Sequence, residues 1–214
     1  MSEEAFEHDL VAAAFSLAAQ QGWHRVSAAA AARHAELDLA EARRAFPHPW
    51  AILARFGQMA DSYALKDALT DGVVKDRLFD ILMRRVDFHQ QHRAGVLALG
   101  QAMPLNPALA AWLARRTLSS MGWMLEGAGI SASGFGGELR KRGLALVWAW
   151  TMRAWTRDES EELSATMAAL DSALVRADQC AAQFRNAPSS GRTAPEAVPD
   201  APFESPAENP DRPE

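Results

Sequence analysis

Cysteine is all but missing from this chain of 214 residues. Cys180 stands alone, which excludes an intramolecular disulfide and any zinc site built on several thiolates. A reducing cytoplasm is the compartment this implies. Long apolar runs are missing too. The best is LALVWAW, residues 144–150, far short of the roughly 20 residues that span a bilayer. The opening MSEEAFEHDL is acidic and lacks the basic start and apolar run of a secretory signal. A basic excess is also absent. The net charge is −5, and from Pro188 onward six acids face two arginines, so most of that charge lies in the last segment. A near-neutral body does not mark a nucleic-acid partner, though it leaves room for a local patch.

What is present is helix-forming. Hydrophobic residues make up 49% of the chain, with alanine and leucine dominant, β-branched residues scarce and one tyrosine. That balance favours helix over sheet and suffices for a core. The length allows one domain, or a small one joined to a larger.

The apolar spacing predicts a first helix over Glu4–Gln21, stopped by Gly22. Ser27 caps a short alanine-rich second helix, and Asp38 caps a third that ends before Pro47. The stretch VSAAAAARHAELDLAEARRAFP therefore reads as helix, tight turn, helix. A fourth helix is expected over Trp50–Leu69 and a fifth from Val74, with Leu78, Leu82, Val86 and His89 on its apolar face and Arg84, Arg85 and Asp87 elsewhere. A sixth covers Ala94–Met103. Asn106 caps a seventh from Pro107 to about Ala128. GAGISASGFGG is a connector, with neither the preceding strand nor the following lysine of a phosphate loop. Glu138–Thr156 is a helix apolar nearly all round in its middle, and Asp158 with Glu161 forms a capping box for a last helix to about Phe184. The division expected is 1–49 as head, 50–186 as helical body and 187–214 as a disordered, acidic, proline-rich tail.

No catalytic constellation stands out. His89 and His92 share a helix at a spacing that could give two ligands to a metal, but no further ligand cluster joins them. Cys180 has no evident base, and Glu161 and Glu162 are ordinary first-turn acids. Aromatic and thioether groups are denser. Trp112, Trp123, Trp148, Trp150 and Trp155 fall in three late segments, with Met103, Met121, Met124 and Met152. They suit either a bulky core or a pocket for an apolar ligand.

Two resemblances follow from these stretches. AAAFSLAAQQGWHRVSAAAAARHAEL, closed by Phe46, resembles the head of the TetR family of repressors. That resemblance implies an all-α fold with a helix-turn-helix head on a helical bundle, and DNA contacts from Ser27, Arg43 and Arg44. The departures fall where DNA is touched. Glu36 stands where that family commonly has glycine, Arg43 where it has tyrosine, and Pro49 where it has a phosphate-contacting lysine. Asp38 and Glu41 would face the same polyanion.

The later stretches VKDRLFDILMRRVDFHQQHRAGVLAL, SSMGWMLEGAGI and LRKRGLALVWAWTMRAWTRDES resemble the Coq-nine family, with the W-x-x-D-x-S element at Trp155, Asp158 and Ser160. This resemblance implies a non-enzymatic lipid-binding accessory protein of ubiquinone biosynthesis on the TetR-like fold. Its partners would be an isoprenoid lipid or ubiquinone intermediate and a di-iron demethoxyubiquinone hydroxylase, with no cofactor of its own. The family's C-terminal amphipathic membrane helix has no counterpart in the acidic tail. The expected place is the cytoplasm, or peripherally the inner face of a bacterial membrane. The lipid pocket is expected between Met121, Trp123 and Met124 on one helix and Leu144, Val147 and Trp148 on the next, with Met103, Pro104 and Leu105 at its mouth. A homodimer through the last two helices is expected as well, since the apolar circumference of residues 144–150 exceeds what one neighbour covers. The alternative is a TetR-type DNA-binding regulator with an apolar effector pocket.

Overall fold

Every regular element among the described residues is helical. The structure, a computed structural model, describes residues 2–186, and the expected tail at 187–214 lies outside them. Among the described residues there are nine α-helices and no strand. They are α1 (Glu3–Gln21), α2 (Ala28–His34), α3 (Leu39–Ala45), α4 (Pro49–Leu65), α5 (Val74–Gln91), α6 (Arg93–Ala102), α7 (Pro107–Gly127), α8 (Gly134–Trp155) and α9 (Ser164–Asn186). Single 3-10 turns at Trp23–Arg25 and Met103–Leu105 lead towards α2 and α7. No helix of the described residues is long and apolar enough to cross a membrane.

The helix starts follow from their caps. The Ala30 amide donates to Ser27 Oγ at 3.1 Å, the Glu41 amide to Asp38 Oδ1 at 2.7 Å, and the Leu109 amide to Asn106 Oδ1 at 3.1 Å. Each satisfies a first-turn donor that the helix itself leaves open. Pro49 and Pro107 occupy opening positions, where a missing N–H costs nothing. The turn between α2 and α3 closes with the Leu37 amide on the Ala32 carbonyl at 2.8 Å, which places Glu36 at φ 55°. Glycine adopts that left-handed conformation without strain, and a residue with a Cβ does not.

Two regions depart from expectation. α4 stops at Leu65 rather than Leu69, and Arg84 of α5 then donates to the Lys66 carbonyl. α9 begins at Ser164, so the expected box of Asp158 and Glu161 does not form. Asp158 instead is buried ahead of the helix. Its Oδ2 accepts from the Thr166 amide and hydroxyl, both at 2.8 Å, and its Oδ1 accepts from the Ser160 hydroxyl at 2.6 Å. These bonds, the Ser160 hydroxyl first, hold its carboxyl well below the usual carboxylate range.

The core does not divide at residue 49. Phe6, Leu10 and Phe15 of α1 join one buried cluster with Phe56 of α4, Phe88 of α5 and Leu99 of α6. Phe15 stacks on Phe56 with centroids 4.0 Å apart. α6 crosses α1 at Gly95, where a Cβ would lie 2.4 Å from the Phe15 carbonyl oxygen, so only glycine permits the approach. A second cluster fills the far end of the body, with Leu82, Met121, Met124, Leu144, Trp155 and Leu170 among its members.

Two outcomes are expected. Glu36→Gly should raise stability by about 0.5–1 kcal/mol, since relief of left-handed strain outweighs the added freedom of the unfolded chain. Thermal melts should show a rise of about 1–4 °C for a chain of this size. Asp158→Ala should cost about 2 kcal/mol at neutral pH, as several bonds to one carboxylate are lost. Because the folded carboxyl is held low, that contribution is present above the unfolded value of about 3.9 and is lost as the pH falls through the folded one. Urea midpoints of the two proteins should therefore begin to converge below about pH 4 and continue to do so as the pH falls further.

Candidate ligand cleft and head surface

The residues expected to form a lipid pocket separate into two groups. Met121, Met124, Leu144, Val147 and Trp148 are buried and pack against one another across α7 and α8. Trp123 is not with them. It is 63% exposed, because it lies about half a turn round α7 from the buried Met121 and Leu125. Leu105 is 87% exposed, Pro104 is exposed and Met103 half-buried, in the turn before α7. An isoprenoid tail cannot pass between α7 and α8 here without parting close-packed side chains.

A cleft of about 110 Å³ lies elsewhere, among α4, α5, α6, α7 and α8, and shares only Trp148 with the expected set. Its centre is Arg85, expected away from the apolar face of α5 but in fact 5% exposed. Arg85 Nη2 lies 3.1 Å from Asp61 Oδ1 of α4 and 3.4 Å from Ser120 Oγ of α7. The Ser120 hydroxyl in turn donates to Asp61 Oδ2 at 2.6 Å. The guanidinium carbon sits 4.9 Å from the centroid of Trp148, in cation–π range. Burial draws the arginine's proton affinity down and the Asp61 charge opposes that.

His89, one turn on, also lines the cleft. Its Nδ1 lies 2.7 Å from the Arg85 carbonyl, an acceptor, so Nδ1 carries the proton and Nε2 keeps a free lone pair. Burial, then the neighbouring Arg85 charge, push its pKa down to about 3, which leaves a neutral ring. Phe56 and Trp148 flank it at 5.4 Å each, both edge-on. His92 faces Phe15, Phe56 and Phe88. Among the described residues no three His, Cys, Asp or Glu side chains gather as a metal site.

The head surface is electrically balanced. From Ser27 to Pro49, Arg33, Arg43 and Arg44 face Glu36, Asp38 and Glu41. Arg43 Nη1 donates to the Pro47 carbonyl at 2.6 Å, which turns its guanidinium back onto its own chain. Arg44 lies 3.7 Å from Glu41. The Ser27 hydroxyl is occupied in capping α2. Ser27 and Arg43 border a shallow depression of about 200 Å³ between α2 and the α3–α4 link, and Arg44 does not.

A short helix-turn-helix head continuous with a helical body is the TetR-type fold. A TetR transcriptional regulator from Nitrosomonas europaea matches with a TM-score of 0.66 and 22% identity, over 82% of this chain and 99% of that one. A second, from Rhodococcus sp. RHA1, matches with a TM-score of 0.55 and 17% identity, over 82% and 97%. Neither a family model nor a curated protein matches the chain. The chain therefore has the TetR-like fold, and the Coq-nine resemblance stands on its sequence stretches alone.

Placement decides which tryptophans matter for stability. Trp123→Ala should change the folding free energy by less than about 0.5 kcal/mol, as surface changes do. Trp148→Ala should cost about 3–5 kcal/mol, as for a buried ring. Chemical denaturation of the two variants checks both values.

Proposed function

We propose that the chain is a non-enzymatic, dimeric ligand-binding protein that serves ubiquinone synthesis as an accessory factor. In this reading it holds an isoprenoid intermediate and presents it to a demethoxyubiquinone hydroxylase, in the cytoplasm or peripherally at the inner face of a membrane. The observation that carries the reading is the outer face of α8. Leu139, Leu146 and Trp150 form one line along the helix and are between 51 and 73% exposed, on the side away from Leu144, Val147 and Trp148. From Leu139 to Trp150 the line is about 16 Å long at 1.5 Å per residue. Apolar surface left in water forgoes about 25 cal/mol for each Å². A second copy covers such a stripe through a shared bundle of α8 and α9 helices, and the isoprenoid tail lies in the seam.

The second reading is a TetR-type DNA-binding regulator with an apolar effector pocket. What favours it is the agreement in fold with two proteins named as transcriptional regulators, and the comparisons lean to it more than to the accessory reading. The head's chemistry weighs the other way. Release of counterions from the DNA dominates affinity for the duplex, and a surface with three arginines against three acids, one arginine bound to its own backbone, neutralises few phosphates and so displaces few of them.

One preparation tests both. Light scattering should give twice the chain mass, and organic extraction with native mass spectrometry should yield a polyprenyl quinone or phospholipid. Leu146→Glu and Trp150→Glu should each give a monomer and lower the lipid yield per folded chain. A sequence-selective gel shift at submicromolar protein that survives about 0.2 M salt, with no lipid extracted, would establish the regulator instead.

A further inference from the structure

We propose that the cleft at Arg85 binds a small hydroxylated aromatic acid. The site is separate from the outer stripe of α8 and does not depend on it. Arg85 is nine-tenths buried, yet its Nε and Nη1 meet no hydrogen-bond acceptor among the described residues. Only Nη2 is engaged, with Asp61 and Ser120. A buried donor left without an acceptor is destabilising, and more so when charged. A carboxylate oxygen is the acceptor that suits a guanidinium best.

The balance of charge agrees. Arg85 is offset by Asp61, while the exposed Arg116 at the rim has no acid opposite it among the cleft's lining residues. A monoanion enters that field favourably.

Shape selects a ring. Phe56, His89 and Trp148 supply aromatic walls, and the cleft of about 110 Å³, smaller than the closed cavity of about 150 Å³ that takes benzene, opens past the exposed Arg116, so it admits one ring at most and only with part of that ring at the open side. An isoprenoid tail does not fit such a space. The hydroxyl is called for by His89. With its proton committed to the Arg85 carbonyl, Nε2 can only accept, and a ring hydroxyl is the matching donor.

Full-length protein titrated with 4-hydroxybenzoate, benzoate and benzyl alcohol tests this, read by saturation-transfer NMR and tryptophan fluorescence. Saturable binding of 4-hydroxybenzoate is expected with Kd below about 1 mM. Benzoate, which lacks the ring hydroxyl, should bind about tenfold more weakly, and benzyl alcohol, which lacks both the ring hydroxyl and the anion, more weakly still. Arg85→Gln should weaken binding at least about tenfold. Because that change leaves Asp61 without its partner, Gly57→Leu provides a second variant. Gly57 lines the cleft on α4, and a Cβ there meets nothing within 4 Å, so a side chain can leave the helix at this point and narrow the cleft. It should abolish binding with the melting temperature unchanged. Absence of saturation at about 10 mM, equal binding of benzyl alcohol, or unaltered binding in Gly57→Leu would overturn the proposal. Lipid yield and chain mass are measured separately, so the seam reading stands or falls on its own.

Discussion

One guanidinium ties the body together. Arg85 leaves α5, meets Asp61 of α4 and Ser120 of α7, and lies over Trp148 of α8. Removing a charge from water is costly, and the ion pair repays this only where the geometry is good and the remaining polar atoms are satisfied. Here they are satisfied in part. The hydroxyl of Ser120 bridges the pair, while two nitrogens of Arg85 stay without acceptors. Helices that share a charge in this way are constrained in angle and register more narrowly than apolar contact alone requires. An apolar side chain at 85 would pack these helices without selecting one arrangement of them.

The parts of the fold that were legible from sequence are those written in local chemistry. Ser27, Asp38 and Asn106 cap helices where hydroxyl, carboxylate and amide groups precede apolar runs, and the spacing of Leu78, Leu82, Val86 and His89 marks the buried face of α5. Arg85 escaped because periodicity assigns a charged residue to solvent, and only a partner on another helix reverses that. Asp61 is 24 positions away and carries no local sign of the pairing. Trp123 failed in the opposite sense. It was placed by residue type, although Met121, Met124 and Leu125 already define the face of α7 that turns inward. Asp158 was rightly tied to a helix start, but its bonds reach Thr166, eight positions on, and no capping rule spans that distance.

The W-x-x-D-x-S element has a structural role of its own. Trp155 donates to Gln90 at 2.8 Å, Arg93 lies over its ring, and Arg93 also donates to the Asp158 carbonyl at 2.9 Å. The element thus fastens the α8–α9 corner to the junction of α5 and α6. It is a joint of the frame, not part of the cleft. A frame of this kind can be shared by proteins with different work, since function is set by particular side chains on it. On this chain the proposed work rests on the neutralised head, the outer stripe of α8 and the polar group inside the cleft.

The crossing at Gly95 bears on how the protein comes apart. With the backbone of α6 set against that of α1, and Phe15 stacked on Phe56, the head's first helix is bounded by body residues on more than one side. Local opening proceeds in cooperative units whose limits follow buried contacts more than sequence position. α1 therefore belongs to the same unit as α4 and α6, and its amides exchange with solvent only when the body opens as well. α3, whose single buried residue is Ala42, is held far less firmly and exchanges through small fluctuations of its own.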